Sequence, residues 1–218
     1  MAHEHHGDHE HDHAHPHPHP VQPLDEDIPC EEYEFLEIAL RELLVEKGVI
    51  APGEIIAKIE EWEQRSPVDG ARVIARAWTD PGFKARLIAD ANAAMGELGL
   101  EHTNAKLVVL EDTADKHHLV TCTLCSCYPR QLLGFPPAWY KSREYRARSV
   151  RDPRGVLREF GVTLPDTVAV EVADATADCR YLVLPVRPAG TEGMSEAELA
   201  ALVTRDCMIG VALPRTPA

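Results

Sequence analysis

The sequence has no run of the roughly 18 to 20 uncharged apolar residues that cross a membrane, and it does not open with the basic residues and apolar stretch of a secretory leader. The expectation is a cytoplasmic protein with no membrane contact. Cysteine is sparse, six in 218 residues: too few for a disulfide scaffold, and a reducing compartment disfavours structural bridges anyway. Lys and Arg are absent from residues 1–40, which hold eleven of the 36 acids. That leaves 25 acids against 22 bases in residues 41–218, so the body is close to neutral although the whole chain carries a formal charge of −14. A general nucleic-acid binder needs a basic face, which this balance argues against. No internal repeat is visible, and a hydrophobic fraction of 44% supplies one core of ordinary size or two small ones.

What is present begins with histidine. Residues 1–20 hold nine of the twelve His, at every second position from His9 to His19, with Pro16, Pro18 and Pro20 interleaved. Residues 1–30 are expected to form a disordered, His-rich acidic tail, because such a composition cannot build a core. It could offer imidazoles to a divalent metal in interchangeable pairings, or serve as a solubilising tail.

Beyond the tail, Tyr33, Leu36, Leu40, Leu43 and Leu44 follow helical spacing, with acids in the first turns and Gly48 at the end. A second helix is expected from near Pro52 through Ile55, Ile59 and Trp62, stopping before Ser66-Pro67. Residues 31–66 therefore read as a helical arm ahead of a main domain over 67–218. One further helix is expected from Thr79 to Gly99. The texture then changes to β-rich runs at Lys106–Leu110, His117–Cys122, Val168–Val172, Arg180–Val186 and Cys207–Leu213, with helical patches at Ser142–Val150, Asp152–Phe160 and Ser195–Val203. The fold class is α+β.

Three cysteines, Cys122, Cys125 and Cys127, fall within six residues as C-x2-C-x-C after a probable strand. Soft thiolates at this spacing select zinc, copper(I), iron or cobalt over magnesium and calcium. A structural zinc site wants a fourth ligand, yet no second C-x2-C exists, and His117 and His118 are adjacent on a strand and should point to opposite faces. An iron–sulfur cluster lacks further cysteines at suitable spacing, while a redox pair leaves Cys127 unexplained. With one residue between Cys125 and Cys127, the backbone nitrogens of Ser126 and Cys127 are brought close to any ion held there. Three sulfurs and two amide nitrogens fill five positions of an octahedron, and an open sixth is what hydrolytic or hydration chemistry requires.

The run CTLCSC from Cys122 resembles the metal-binding claw of nitrile hydratase α subunits and of thiocyanate hydrolase γ subunits, which belong to the same family. The resemblance extends through ARAWTDPGFKARL from Ala75, YPRQLLGFPPAWY from Tyr128, YLVLPVRPAGTEGMSEAEL from Tyr181 and LVTRDCMIGV from Leu202. It implies an α/β/β/α layered domain and a low-spin Co(III) ion held by Cys122, Cys125, Cys127 and the amides of Ser126 and Cys127. Cys125 would be a sulfinate and Cys127 a sulfenate, whose oxygen is a candidate nucleophile or base. Thr123 resembles cobalt-type members, with iron less favoured.

The same resemblance implies one or more β-type partner subunits supplying Arg residues to the claw, a metallochaperone or activator, and a small nitrile or thiocyanate as substrate. Arg130 departs from the Trp that many nitrile hydratases carry there and matches thiocyanate hydrolase γ subunits. A fixed cation would orient the thiocyanate anion, whereas an Arg paired or solvated elsewhere would not. The Tyr128 phenol either donates a hydrogen bond near the claw or packs. The basic run from Arg130 to Arg158, with Trp139, Tyr140 and Tyr145, reads as a subunit interface rather than a nucleic-acid face. Two function classes stand: an enzyme subunit hydrating a C≡N bond, and a cobalt or copper handling protein in which tail and claw both serve transfer.

Overall fold

The computed structural model describes residues 31–100 and 105–217; the His-rich tail lies outside the described residues. The arm is two helices, α1 (Glu31–Glu46) and α2 (Glu54–Glu63). Gly48 and Gly53 turn the chain between them with left-handed backbone. Leu36, Leu40 and Leu43 on α1 and Ile56 and Ile59 on α2 are exposed. The apolar stripe of α1 therefore contributes nothing to the core of this chain.

The main domain opens with α3 (Val68–Thr79), where helical periodicity was not anticipated. The single helix expected over Thr79–Gly99 is two, α4 (Pro81–Ala89) and α5 (Ala91–Gly96). Two aspartates cause the break: Asp80 accepts a hydrogen bond from the Phe83 amide and Asp90 from the Ala93 amide, each with its own backbone extended, so Asp90 ends one helix and starts the next.

Next come β1 (Lys106–Glu111) and β2 (Lys116–Thr121), then short α6 (Arg130–Leu133) and α7 (Ala138–Lys141), α8 (Arg143–Arg151), α9 (Pro153–Glu159), β3 (Ala169–Asp174), β4 (Cys179–Leu184), α10 (Glu196–Ala201) and α11 (Arg205–Ile209). The strands form two parallel ribbons, β1 with β4 and β2 with β3, the second in a register that pairs Lys116 with Ala169 and Thr121 with Asp174. Helices α4 and α5 lie on β1, the ribbons touch through β2 and β4, and α8 and α9 cover β2 and β3. This is the expected α/β/β/α layering. It leaves β2 buried from His117 to Thr121 and β4 buried from Leu182 to Leu184; in β4 the buried half is apolar throughout, whereas in β2 the burial extends to two histidines and a threonine that need polar partners.

One expected strand is a helix. The run CMIGV at Cys207 lies in α11 and its end, because Thr204 caps the helix by accepting from the Cys207 amide at 3.3 Å. A short apolar run buried on all sides does not distinguish strand from helix by periodicity. Gly210 follows with φ +87°, and a Cβ there would fall 1.9 Å from the His118 carbonyl oxygen, so only glycine lets α11 end against β2.

The aromatic residues after the claw point inward. Trp139, Tyr140, Tyr145 and Phe160 are buried, and Trp139 meets the other three edge-on, Phe160 at 4.7 Å between ring centres. The interface expected of this run therefore does not include them. Its cations divide: Arg148 pairs with Glu159 and Arg154 donates to the Leu164 and Val168 carbonyls, whereas Lys141, Arg143, Arg151 and Arg158 are exposed.

Candidate metal centre

The chain leaves β2 at Thr121, and the next six residues form the cysteine loop. Cys122 is buried at the foot of the loop, Cys125 is exposed and Cys127 is half-buried. Their sulfurs converge, Cys122 Sγ to Cys125 Sγ at 3.4 Å and Cys125 Sγ to Cys127 Sγ at 3.2 Å, with all three inside 4.8 Å. With metal–sulfur bonds of about 2.3 Å, neighbouring ligands sit about 3.3 Å apart in an octahedron and about 3.8 Å apart in a tetrahedron. The observed separations match the octahedral edge. The donor set is soft, which favours zinc, copper(I), iron or cobalt over magnesium and calcium. No histidine joins this group among the described residues.

Electrostatics set the thiols apart. Hydrogen bonding with the Cys127 and Cys122 thiols, supplemented by the backbone N–H groups of Cys127 and Ser126, holds the Cys125 thiol below its ordinary value. The Cys125 amide in turn donates to Cys122 Sγ at 3.4 Å. Burial pushes the Cys127 thiol up to about 12, with Arg180 pulling the other way. A metal ion would have to displace that proton.

The loop is anchored by residues far away in sequence. Asp174, at the end of β3, accepts from the Thr123 amide at 2.8 Å and from its hydroxyl at 2.5 Å. Tyr140 donates its hydroxyl to the Cys127 carbonyl at 2.9 Å, and Tyr145 donates to the Val120 carbonyl at 2.7 Å. Tyr128 is buried with its ring edge-on to Tyr140 at 5.1 Å, and its hydroxyl has no hydrogen-bond partner among the described residues. Burial raises that phenol above its ordinary value.

Over the sulfurs lies a cleft of about 350 Å³ lined by Cys125, Ser126, Cys127, Arg130, Arg180 and Trp62. Arg130 is exposed, its guanidinium 5.8 Å from the centre of the Phe135 ring. Arg180 donates to the carbonyls of Ala177 and Cys179 at 3.1 and 3.3 Å, which fixes a second cation at the cleft. Reading the sequence brought Cys122, Cys125, Ser126, Cys127, Tyr128 and Arg130 to attention, and they stand together around this loop. Asp174, Tyr140, Arg180 and Trp62 were not anticipated. An acid closing the run AVEVAD was the one local signal, and only the parallel register makes it meaningful.

His117 and His118 serve another purpose. Both rings reach Asp112, at 3.0 and 2.9 Å, and His117 Nε2 lies 2.7 Å from the Gly210 carbonyl oxygen. Burial works against a charge on His117, but the hydrogen bond and charge of Asp112 outweigh it and raise the ring above its ordinary value. Burial likewise opposes ionisation of Asp112, and the two histidines outweigh it, holding the carboxyl below its ordinary value.

Comparison with known proteins places this geometry. The family model described as nitrile hydratase, alpha chain, matches residues 31–212. The chain is 51% identical over 181 residues to the low-molecular weight cobalt-containing nitrile hydratase subunit alpha of Rhodococcus rhodochrous, covering 82% of this chain and 87% of that one. It is 44% identical over 205 residues to thiocyanate hydrolase subunit gamma of Thiobacillus thioparus, covering 88% and 84%. Among solved structures, a recombinant thiocyanate hydrolase with partially modified cobalt centres superposes with a TM-score of 0.79 at 42% identity, covering 87% of this chain and 92% of that one.

Proposed function

The chain belongs to the nitrile hydratase alpha-chain family, and from that premise we propose that it is the metal-holding subunit of an enzyme that adds water across a C≡N triple bond, turning a nitrile into an amide. The observation that carries the reading is the convergence of the Cys122, Cys125 and Cys127 sulfurs, neighbours at 3.4 and 3.2 Å and all inside 4.8 Å; to these three the reading adds the backbone amides of Ser126 and Cys127. These five donors are the proposed ligands of one low-spin Co(III) ion, in keeping with the cobalt named in the R. rhodochrous relative. That ion, when bound, supplies Lewis acidity toward a nitrile or a water molecule. Residues 31–66 act as the arm and residues 67–218 as the metal domain.

The chain's own residues position and neutralise. With Cys125 as a sulfinate and Cys127 as a sulfenate, the loop's negative charge would be carried in part on oxygen atoms, which accept hydrogen bonds more strongly than sulfur does. Arg180 and Arg130 are the cations of this chain at the same cleft, and they offset that charge. The Cys127 sulfenate oxygen would act as nucleophile or take a proton from water. The buried Tyr128 hydroxyl is a donor without another partner among the described residues. The exposed apolar residues of α1, Leu36, Leu40 and Leu43, fit a β-type partner subunit, which would complete the site with its own Arg residues. An activator would load the metal. No helix among the described residues is long and apolar enough to cross a membrane, which accords with a cytoplasmic enzyme.

A second reading rests on Arg130. An exposed guanidinium on the cleft favours an anionic substrate, and thiocyanate with two waters would give carbonyl sulfide, ammonia and hydroxide. Assay of the complex with an aliphatic nitrile, an aromatic nitrile and thiocyanate decides between these readings. Arg130→Trp should lower the ratio of thiocyanate to nitrile turnover, and an unchanged ratio removes the case for Arg130. Mass spectrometry of the loaded complex should find two added oxygens on Cys125 and one on Cys127; three plain thiols in an active complex would sink the oxidised-claw mechanism. A loaded complex that turns over none of the three substrates would instead favour a cobalt or copper handling protein.

A further inference from the structure

Trp62 stands where two clefts meet. The cleft over the sulfurs is lined by Trp62 and Arg130, and so is a neighbouring cleft of about 340 Å³ whose other walls are Ile55, Lys58, Ile59 and Phe135. Trp62 and Arg130 are thus the wall between them. The two differ in character: the first holds thiols and fixed cations, while the second is mainly aliphatic and aromatic.

The indole is held in place. The Arg65 guanidinium lies 4.4 Å from the centre of the Trp62 ring and is itself tied to Glu61 at 2.9 Å, so a cation covers one face of the indole. The end of α2 is seated on the metal domain through Gly134: its φ is +71°, and a Cβ there would lie 2.5 Å from the Arg65 carbonyl oxygen. Backbone meets backbone at that point, which fixes the arm next to α6 and brings Trp62 to the cleft.

We infer that Trp62 is a specificity-determining residue, which closes the metal cleft against the apolar cleft beside it and so confines turnover to small nitriles. The inference rests on the nitrile-hydrating reading. With Trp62 cut back to alanine the two spaces join, and a phenyl group on a flexible chain can leave the polar cleft and bury itself against Ile55, Ile59 and Phe135. Burying a few methylene equivalents in an apolar pocket changes kcat/KM by tenfold or more.

The test uses the cobalt-loaded complex with its partner and compares acetonitrile with 3-phenylpropionitrile. W62A should raise the kcat/KM ratio in favour of the phenyl substrate about tenfold or more, chiefly through a lower KM for that substrate, with cobalt content and the thiolate-to-metal absorption band as in the parent. The double variant W62A/I59W, which refills the neighbouring cleft, should return the ratio toward the parent value. Should W62A fail to assemble, W62F carries the test and should raise the ratio by a smaller factor. A ratio that is unchanged or falls, in a complex that still hydrates acetonitrile, overturns the role of Trp62 and leaves the proposed function standing. A loaded parent complex that hydrates neither nitrile overturns that function, and this inference with it.

Discussion

Asp174 grips Thr123 twice, taking a hydrogen bond from its amide at 2.8 Å and from its hydroxyl at 2.5 Å. The two residues meet because Thr121 and Asp174 are register partners at the carboxyl ends of β2 and β3. A carboxylate one strand away thereby closes the first turn of the cysteine loop. Groups that orient metal ligands from behind are typically worth about 10- to 100-fold in metal affinity. Asp174→Ala is expected to weaken cobalt retention by that order, read as competition against a chelator. Thr123→Ser keeps the hydroxyl and should retain most of the affinity, whereas Thr123→Val should behave like the Asp174 variant. Equal retention in all three would dismiss the clamp.

Tyr140 supports the same loop from below through the Cys127 carbonyl. Tyr140→Phe removes one donor and leaves a carbonyl to find water, a loss of about 1 kcal/mol. In a domain of this size that lowers the melting temperature by about 2–4 °C. Calorimetry of the purified complex measures it, and an unaltered melting temperature would mean that this hydrogen bond contributes nothing to stability.

The cysteine loop and the four strands before α10 were legible because their signals are local: thiol spacing in one case, β-branched runs between turn residues in the other. What stayed hidden depends on pairing at a distance. Asp174 follows Thr123 by 51 residues and becomes relevant only through a parallel register. Arg180 and Trp62 reach the cleft from opposite sides of the loop in sequence. Tyr140 and Tyr145 carry no mark separating an inward from an outward aromatic, and the basic residues around them favoured the wrong face. The run at Cys207 misled for another reason, since Thr204 and Gly210 cap a helix too short to show a period.

The Asp112, His117 and His118 network should give stability a definite pH dependence. Asp112 titrates below its ordinary value of about 3.9, so its contribution is present above that pH and is lost as pH falls through the lower folded value. His117 titrates above its ordinary value of about 6.5, so its contribution is complete below that pH and is lost as pH rises through the raised folded value. The network is therefore worth most between about pH 4 and 6.5. Urea unfolding of the parent and of Asp112→Asn from pH 4 to 9 should show a stability difference that shrinks above that window. A difference that grows with pH would contradict the assignment.

Gly210 supplies a backbone test of how α11 meets β2. Alanine there must adopt φ near +87° and place its Cβ 1.9 Å from the His118 carbonyl oxygen. The loss should exceed about 2 kcal/mol, visible as a lower urea midpoint with an unchanged slope. A loss under about 0.5 kcal/mol, the size of an ordinary surface change, would show that β2 can yield at that point.

Trp62 comes to the cleft from an arm helix, while the sulfurs come from the end of a core strand. The two can therefore change by separate mutational routes. Substitutions on that helix alter the cleft wall without touching a thiol or the groups that anchor the loop.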